Sequence, residues 1–162
     1  MAVVVRIQVS LGGVPKQPVP RAVVGPLGIE GDAVAHPQVH GGPERAVCLF
    51  AEELIQRLRG EGHPIQPGDL GENLLLRGVD WTSLHAGHRL RIGAKVELEL
   101  TRPTTPCGAI AGAFTGGDFS RVAPDRHPGE HRWYARVLRG GVIEVGDEVT
   151  AQAVATTPAN ST

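Results

Sequence analysis

The sequence predicts a mainly β fold, a closed or nearly closed β-barrel with one or two short helices. Short segments with β-branched or alternating apolar residues recur along the 162-residue chain, and turns that use 22 glycines and 13 prolines separate them. Only one segment has apolar residues at clear helical spacing. Many short strands joined by glycine-containing turns, with few helices, are typical of β-barrels.

Seven segments are predicted strands. In chain order they are residues 3–9, 45–50, 72–76, 89–92, 95–101, 134–138 and 148–154. The first of them, Val3-Val-Val-Arg-Ile-Gln-Val9, has the β-branched enrichment expected of an opening strand. Gly93 and Ala94 alone separate the fourth and fifth segments, which predicts a two-residue hairpin with glycine first.

Residues 51–59 form the clearest predicted helix. Leu54, Ile55 and Leu58 fall on one face at helical spacing, and glycines follow where the helix would end. A second short helix is predicted for residues 108–114, where it would begin directly after Cys107.

Length and composition predict one domain at residues 1–154, followed by a disordered tail at residues 155–162. The 16 Lys+Arg and 17 Asp+Glu nearly balance, so nothing indicates a nucleic-acid or membrane partner. The amino terminus lacks the basic region of a signal peptide, and no stretch reaches the roughly 18 apolar residues of a membrane span. Two dissimilar cysteines form no disulfide framework, so we expect a cytoplasmic protein.

Cys107 is the most informative residue of the chain. It stands between a proline and a glycine just after the predicted strand at residues 95–101, so it is presented on a turn at the end of a strand. A thiolate in such a position can bind a soft metal or carry sulfur. Taken alone, the segment also suits an ordinary half-buried cysteine. Cys48, by contrast, lies in an apolar run and is predicted to pack in the core.

Three glycine-bearing clusters combine backbone amides with polar side chains, a combination that suits an anion or a flat heterocycle. They contain Gly28-Ile-Glu-Gly-Asp32 with His40-Gly-Gly42, then Gly71-Glu-Asn73, and finally Tyr134-Ala-Arg-Val137 with Gly146-Asp147. Each is weak by itself, because Gly-Asp is also an ordinary turn dipeptide. The order of the clusters along the chain, together with Pro106-Cys107, is more specific than any one of them.

That order resembles the MOSC domain family, named for the carboxy-terminal domain of molybdenum cofactor sulfurase. The resemblance covers roughly residues 28–147 and is to the small stand-alone, YiiM-like members. It implies a MOSC-type β-barrel that binds the molybdenum cofactor, molybdopterin. It also implies that Cys107 is the molybdenum ligand or, alternatively, a sulfur acceptor.

The resemblance further implies an oxidoreductase that reduces N-hydroxylated compounds. Cys107 would then be catalytic, with Asp32 or His40 as the candidates to deliver protons. The residues expected to bind the cofactor are Gly41, Gly42, Arg45, Gly71, Glu72, Asn73 and Arg102. The chain has no flavin or iron–sulfur motif, so an electron-donor protein would be a partner and a small molecule the substrate.

Two other interpretations remain open at this point. In the first, the protein is a sulfur carrier that forms a persulfide on Cys107 with sulfur from a pyridoxal-phosphate cysteine desulfurase. In the second, the pocket takes another anionic or heterocyclic ligand without redox chemistry. A carrier needs a thiol that another protein can reach, whereas a metal ligand should lie in a recess.

One position departs from the pattern of the family. Members often have Arg or Lys two residues before the proline of Pro-Cys, where this chain has Thr104. Arg102 or Arg45 would then have to hold the cofactor phosphate.

Overall fold

The computed structural model describes residues 1–33 and 41–153, so the tail predicted at residues 155–162 lies outside the described residues. Within those ranges there are eleven strands and one α-helix. The strands are β1 (Ala2–Val9), β2 (Gln17–Val19), β3 (Arg21–Gly25), β4 (Gly28–Ile29), β5 (Val47–Ala51), β6 (Leu74–Arg77), β7 (Arg89–Ile92), β8 (Val96–Pro103), β9 (Trp133–Arg139), β10 (Gly141–Glu144) and β11 (Glu148–Gln152). The helix, α1, spans Glu52–Gly60.

Seven of the strands close into a barrel. Their order is β1-β6-β5-β9-β8-β7-β11, and β11 pairs with β1 to complete the ring. Ala2 lies opposite Val149 at this closure. Neighbouring strands are antiparallel except β5 and β6, which are parallel and are joined through α1, since parallel strands need a crossover connection. The prediction of a mainly β barrel is confirmed.

The interior of the barrel is filled by residues that alternate along the strands. Val96, Leu98 and Leu100 of β8 are buried, whereas the residues between them are partly exposed. Strand β5 differs because it is buried at every position. Its outer face is covered by α1, so both faces of this strand meet apolar side chains.

Helix α1 confirms the predicted helix with a shift of one residue at each end. Ala51 ends β5 in an extended conformation and offers no side-chain cap, so the helix begins at Glu52. Leu54, Ile55 and Leu58 are its buried residues, and full burial of each such side chain contributes about 1.5–3 kcal/mol. No helix in the described ranges is long and apolar enough to cross a bilayer.

The structure adds strands that the sequence did not predict. Strands β2 to β4 lie in a stretch with four prolines between residues 15 and 26, a residue type that argues against strands. Strands β10, β3 and β4 form a separate three-stranded sheet. The predicted two-residue hairpin is wrong, because Ile92 pairs with Val96 and leaves three residues in the loop. The predicted second helix is a 3-10 helix, Gly108–Ala113.

The turn between β3 and β4 packs closely against the residue that precedes β5. Gly28 has a φ of +121°, and a Cβ atom at this position would lie 2.2 Å from the carbonyl oxygen of Ala46. Only glycine allows this approach of two backbones. The contact fixes the Gly28–Ile29 strand against the segment that carries Arg45.

We expect Gly28→Ala to destabilise the fold by about 2 kcal/mol or more, because the backbone of Ala46 must move to admit the methyl group. Gly31→Ala is the matched control: Gly31 also has a positive φ, +88°, but no atom of residues 1–33 or 41–153 lies within 4 Å of its Cβ position. Urea denaturation of the two variants measures the difference. Equal losses of stability would contradict the steric explanation.

Candidate functional site

A cavity of about 140 Å³ lies where loops from several parts of the chain, including the segment before β6, meet the strands β5 and β9. Among the described residues, its charged side chains are Lys16, Asp32, Arg45 and Arg132. The other lining residues are Gly13, Val14, Ala33, Ala46, Cys48, Leu70, Gly71, Asn73, Cys107, Ala109, Ile110 and Tyr134. Three positive charges against one negative charge favour an anionic ligand.

Cys107 lies at the edge of this cavity on the segment that leaves β8. It is exposed, and its extended backbone precedes the 3-10 helix Gly108–Ala113. Ala109 and Ile110 of that helix line the cavity beside it. The thiol is therefore both a wall of the recess and accessible from outside, so position alone permits a metal ligand and a sulfur carrier.

A buried network joins the amino-terminal loop to the strands behind the cavity. Lys16 Nζ lies 2.6 Å from Asp32 Oδ1, and the two side chains are only 7% and 10% exposed. The Ser10 backbone N–H donates to the same oxygen at 2.9 Å, and Asn73 Nδ2 donates to Asp32 Oδ2 at 2.9 Å. Asn73 Oδ1 accepts from the Cys48 N–H at 3.0 Å. Both oxygens of Asp32 are thus engaged in holding its neighbours in place.

Three further side chains, Arg45, Tyr134 and Arg132, give the cavity its positive and aromatic character. The Arg45 guanidinium lies over the Tyr134 ring at 5.8 Å from its centroid, within the range of a cation–π contact. Burial is the main cause that raises the pKa of Tyr134 to about 12, so the phenol stays protonated at physiological pH. Arg132 is buried and donates from Nη1 to the carbonyl oxygen of Leu70.

Cys48 also lines the cavity, although it is buried as predicted. Burial raises the pKa of its thiol, and the opposing effect of Arg132 does not cancel this. Its Sγ lies 3.9 Å from the Thr104 hydroxyl. Cys48 is thus a buried, neutral thiol in the cavity wall, whereas Cys107 is the accessible thiol.

We expect Cys48→Ala to cost on the order of 1 kcal/mol of stability, because it removes one small buried group and leaves a small void. Ligand binding should change little, since Asn73 bonds to the Cys48 backbone and not to its side chain. Urea denaturation and thiol counting in the folded protein check this. A variant that stays folded but loses all activity would show that the Cys48 thiol acts in the reaction.

The structure brings together five of the predicted site residues and leaves others apart. Cys107, Asp32, Arg45, Gly71 and Asn73 all line the cavity. His40 falls outside the described residues. The remaining predicted residues do not line the cavity: Gly41, Gly42, Glu72 and Arg102. Glu72 is fully buried behind the wall, and Arg102 is exposed on β8.

The sequence did not assign four lining residues to the site, namely Lys16, Cys48, Arg132 and Tyr134, although Tyr134 stands in one of the glycine-bearing clusters. Lys16 stands in a proline-rich stretch without a recognisable motif, and Cys48 has the apolar neighbours of a core residue. Arg132 precedes a predicted strand, where a basic residue usually faces water. Its burial and its position at the cavity follow from tertiary packing.

Thr104, which stands where the family often has a basic residue, is buried and contacts Cys48. Of the two arginines considered as replacements, Arg45 lines the cavity and Arg102 does not. No group of three or more His, Cys, Asp or Glu side chains with metal-binding geometry occurs in residues 1–33 and 41–153.

The MOSC domain family model matches residues 36–150, well over half of the chain. The chain belongs to the MOSC domain family. This MOSC domain is 26% identical over 121 residues to the protein YiiM of Escherichia coli strain K12, across 72% of this chain and 53% of YiiM. It is 29% identical over 116 residues to a Gibberella moniliformis protein named reductase, across 68% of this chain and 20% of that protein.

The chain therefore spans about half the length of E. coli YiiM and about a fifth of the fungal protein. Among solved structures, YiiM from Geobacillus stearothermophilus matches the MOSC domain with a TM-score of 0.73 at 24% identity. That match covers 94% of this chain and 76% of the YiiM chain. It shows that the two share the barrel fold.

Proposed function

We propose that this MOSC domain binds the molybdenum cofactor and reduces N-hydroxylated small molecules, with Cys107 as the thiolate ligand of molybdenum. The observation that carries the proposal is an accessible thiol at the edge of a cavity whose charged lining residues are Lys16, Arg45, Arg132 and one carboxylate. Family membership and a distant homologue named reductase support the same chemistry.

The donor set of the cavity fits this cofactor. A thiolate is a suitable ligand for a soft metal, and Cys107 supplies one at the edge of the recess. Guanidinium groups bind phosphate through paired hydrogen bonds, and Arg45 and Arg132 both line the cavity. When bound, the cofactor would supply two electrons and take up the oxygen released from the substrate nitrogen.

The protein side chains would bind the anionic group of the cofactor, orient one another and deliver protons to the substrate. Reduction of a hydroxylamine to an amine and water consumes two protons with the two electrons. Asp32 has both oxygens occupied, so it would act chiefly by orienting Lys16 and Asn73. The Lys16 ammonium forms one hydrogen bond to Asp32 and faces the cavity, where it would hold an anionic group or donate a proton.

Electrons would come from a partner protein, since the substrate reduction requires two of them and the described residues supply no redox pair apart from thiols. A reducing, cytoplasmic location would keep both cysteines as free thiols. Because Cys107 is exposed and also lines the cavity, the cavity reaches the protein surface at this residue. A donor protein and a substrate would approach from that side.

This proposal is tested by metal analysis and an absorption spectrum. Both are measured on protein made in a host that synthesises the cofactor. We expect about one molybdenum per chain for a single site and turnover of an N-hydroxylated base with a chemical electron donor. Protein from a host unable to make the cofactor is the control. Protein that binds no molybdenum and does not acquire it on incubation with the cofactor would overturn the proposal.

A second candidate, a sulfur carrier, is favoured by the exposure of Cys107. In this case the Cys107 thiolate attacks the outer sulfur of a desulfurase persulfide, a new S–S bond forms on Cys107, and the desulfurase leaves as a thiolate. Incubation with a pyridoxal-phosphate cysteine desulfurase and cysteine, followed by mass spectrometry, tests it. A mass increase of one sulfur on Cys107 that passes to an acceptor would favour the carrier over the reductase.

A further inference from the structure

Glu72 is a buried carboxyl group directly behind the cavity wall. It is fully buried, and its neighbours along the chain, Gly71 and Asn73, line the cavity while its own side chain does not. Neither carboxyl oxygen has a hydrogen-bond partner in the described residues. An ionised carboxylate without partners is costly to bury. Because the Glu72 side chain does not line the cavity, direct contact with a ligand does not explain why a carboxyl group occupies this position.

Gln8 lies beside Glu72 and also has a buried side-chain oxygen without a hydrogen-bond donor among the described residues. It is fully buried, and its Nε2 donates to the backbone carbonyl of Glu72 at 3.0 Å, but its Oε1 has no hydrogen-bond partner among residues 1–33 and 41–153. The turn at Gly68 closes over the pair, since a Cβ there would lie 3.2 Å from Gln8 Oε1. The buried pair is therefore rich in acceptors, and a proton on Glu72 would add the missing donor.

The charged groups around Glu72 are Arg132, Asp69 and the ionisable thiol of Cys48. Burial is the main cause that raises the pKa of Glu72 to about 7, and Asp69 adds to it. The N–H groups of Glu72 and Gly68 and the charge of Arg132 act in the opposite direction, although neither N–H reaches hydrogen-bonding geometry. The buried Nε of Arg132 also has no hydrogen-bond partner in the part of the chain that the structure describes.

We propose that Glu72 is a positioning residue that couples anion binding in the cavity to the uptake of one proton, through Arg132. The coupling follows from electrostatics. When Glu72 is ionised, its negative charge behind the cavity wall partly offsets the positive charge of Arg132. When Glu72 is protonated, the full positive charge of Arg132 can attract an anion in the cavity. An anion bound at Arg132 adds negative charge near Glu72 and so raises the affinity of Glu72 for a proton.

This inference rests on the anion-binding part of the proposed function and not on its redox chemistry. It applies to the anionic group of a cofactor and equally to a small oxyanion. Sulfate is the suitable probe, because it carries two negative charges and does not titrate near neutral pH.

Calorimetric titration of the full chain with sodium sulfate, in two buffers of different ionisation enthalpy, measures the protons taken up on binding. We expect uptake of a fraction of one proton near pH 7, and a sulfate affinity that falls by up to about tenfold per pH unit above it. In Glu72→Gln the affinity should stay nearly constant over the same range. Glu44→Gln, an exposed glutamate beside Arg45, is the matched control and should behave like the wild type.

Stability gives an independent readout. Because the folded protein holds the Glu72 proton more tightly than the unfolded chain, the stabilising effect is present below about pH 4.5 and is lost as pH rises through about 7. We therefore expect the urea midpoint of the wild type to fall as pH rises from about 5 to about 7 and to level off above that, and this fall to be smaller in Glu72→Gln than in Glu44→Gln.

The outcomes separate the two proposals. Sulfate binding with proton uptake that Glu72→Gln removes supports the role of Glu72. Sulfate binding without proton uptake by the wild type overturns that role and leaves the proposed function standing. Absence of sulfate binding at every pH overturns anion binding in the cavity, and with it both proposals. The wild-type measurement decides the matter even if Glu72→Gln does not fold.

Discussion

The Cys107→Ala variant is expected to lose cofactor retention, sulfur loading and catalytic activity down to background, while it keeps its fold. Cys107 is exposed at the edge of the cavity, so its truncation removes no buried contact and should change the free energy of unfolding by less than about 0.5 kcal/mol. Cys48, the other thiol that lines the cavity, does not replace it, because it is buried and burial raises the pKa of its thiol, which disfavours the thiolate. Molybdenum content, sulfane sulfur and urea denaturation, measured on one preparation, check all three properties.

Cys48→Ala is the natural control, since it removes the chain's other thiol. The two variants should show opposite patterns: Cys48→Ala loses stability and keeps activity, and Cys107→Ala keeps stability and loses activity. Full cofactor occupancy, full sulfur loading and wild-type turnover in Cys107→Ala would refute the reductase and the carrier proposals together.

Asp32→Ala is expected to destabilise the fold by about 3 kcal/mol or more. The change leaves Lys16 as a buried cation without its counter-ion, at a side-chain exposure of 7%, and breaking a buried pair on one side typically costs about 3–5 kcal/mol. It also removes the acceptor used by Asn73 and by the Ser10 backbone. Urea denaturation at neutral pH measures the loss.

Asp125→Ala is the matched control, because Asp125 is exposed and the same truncation there should cost less than about 0.5 kcal/mol. The double variant Lys16→Met/Asp32→Ala should recover part of the loss, since it no longer buries a lone charge. A double variant whose loss equals the sum of the two single losses would show that the pair does not interact energetically.

The barrel was predictable because its strands follow local patterns. Alternation along Val96–Pro103 and the helical spacing of Leu54, Ile55 and Leu58 are properties of neighbouring residues, and the structure confirms both. The short strands β2 to β4 were not predictable in the same way. Their prolines disfavour strands locally, and they exist because the rest of the fold supplies partners such as β1 and β10.

The site was predictable only where a motif marked it. Cys107, Asp32 and Asn73 stand in recognisable glycine-bearing or Pro-Cys segments, and all three line the cavity. Lys16 and Arg132 reach it through tertiary packing, which no local pattern reports. Glu72 shows the opposite error: its motif suggested contact with a cofactor, whereas its side chain is fully buried and does not line the cavity.

The closure of the barrel and the walls of the cavity both draw on distant parts of the chain. The ring closes only when Ala2 meets Val149, and the walls draw on residues from Gly13 to Tyr134. The residues that line the cavity are far apart in the sequence, so the cavity cannot assemble until most of these residues have been synthesised. A ligand of this cavity therefore meets a complete set of walls only after the chain has been synthesised as far as Tyr134.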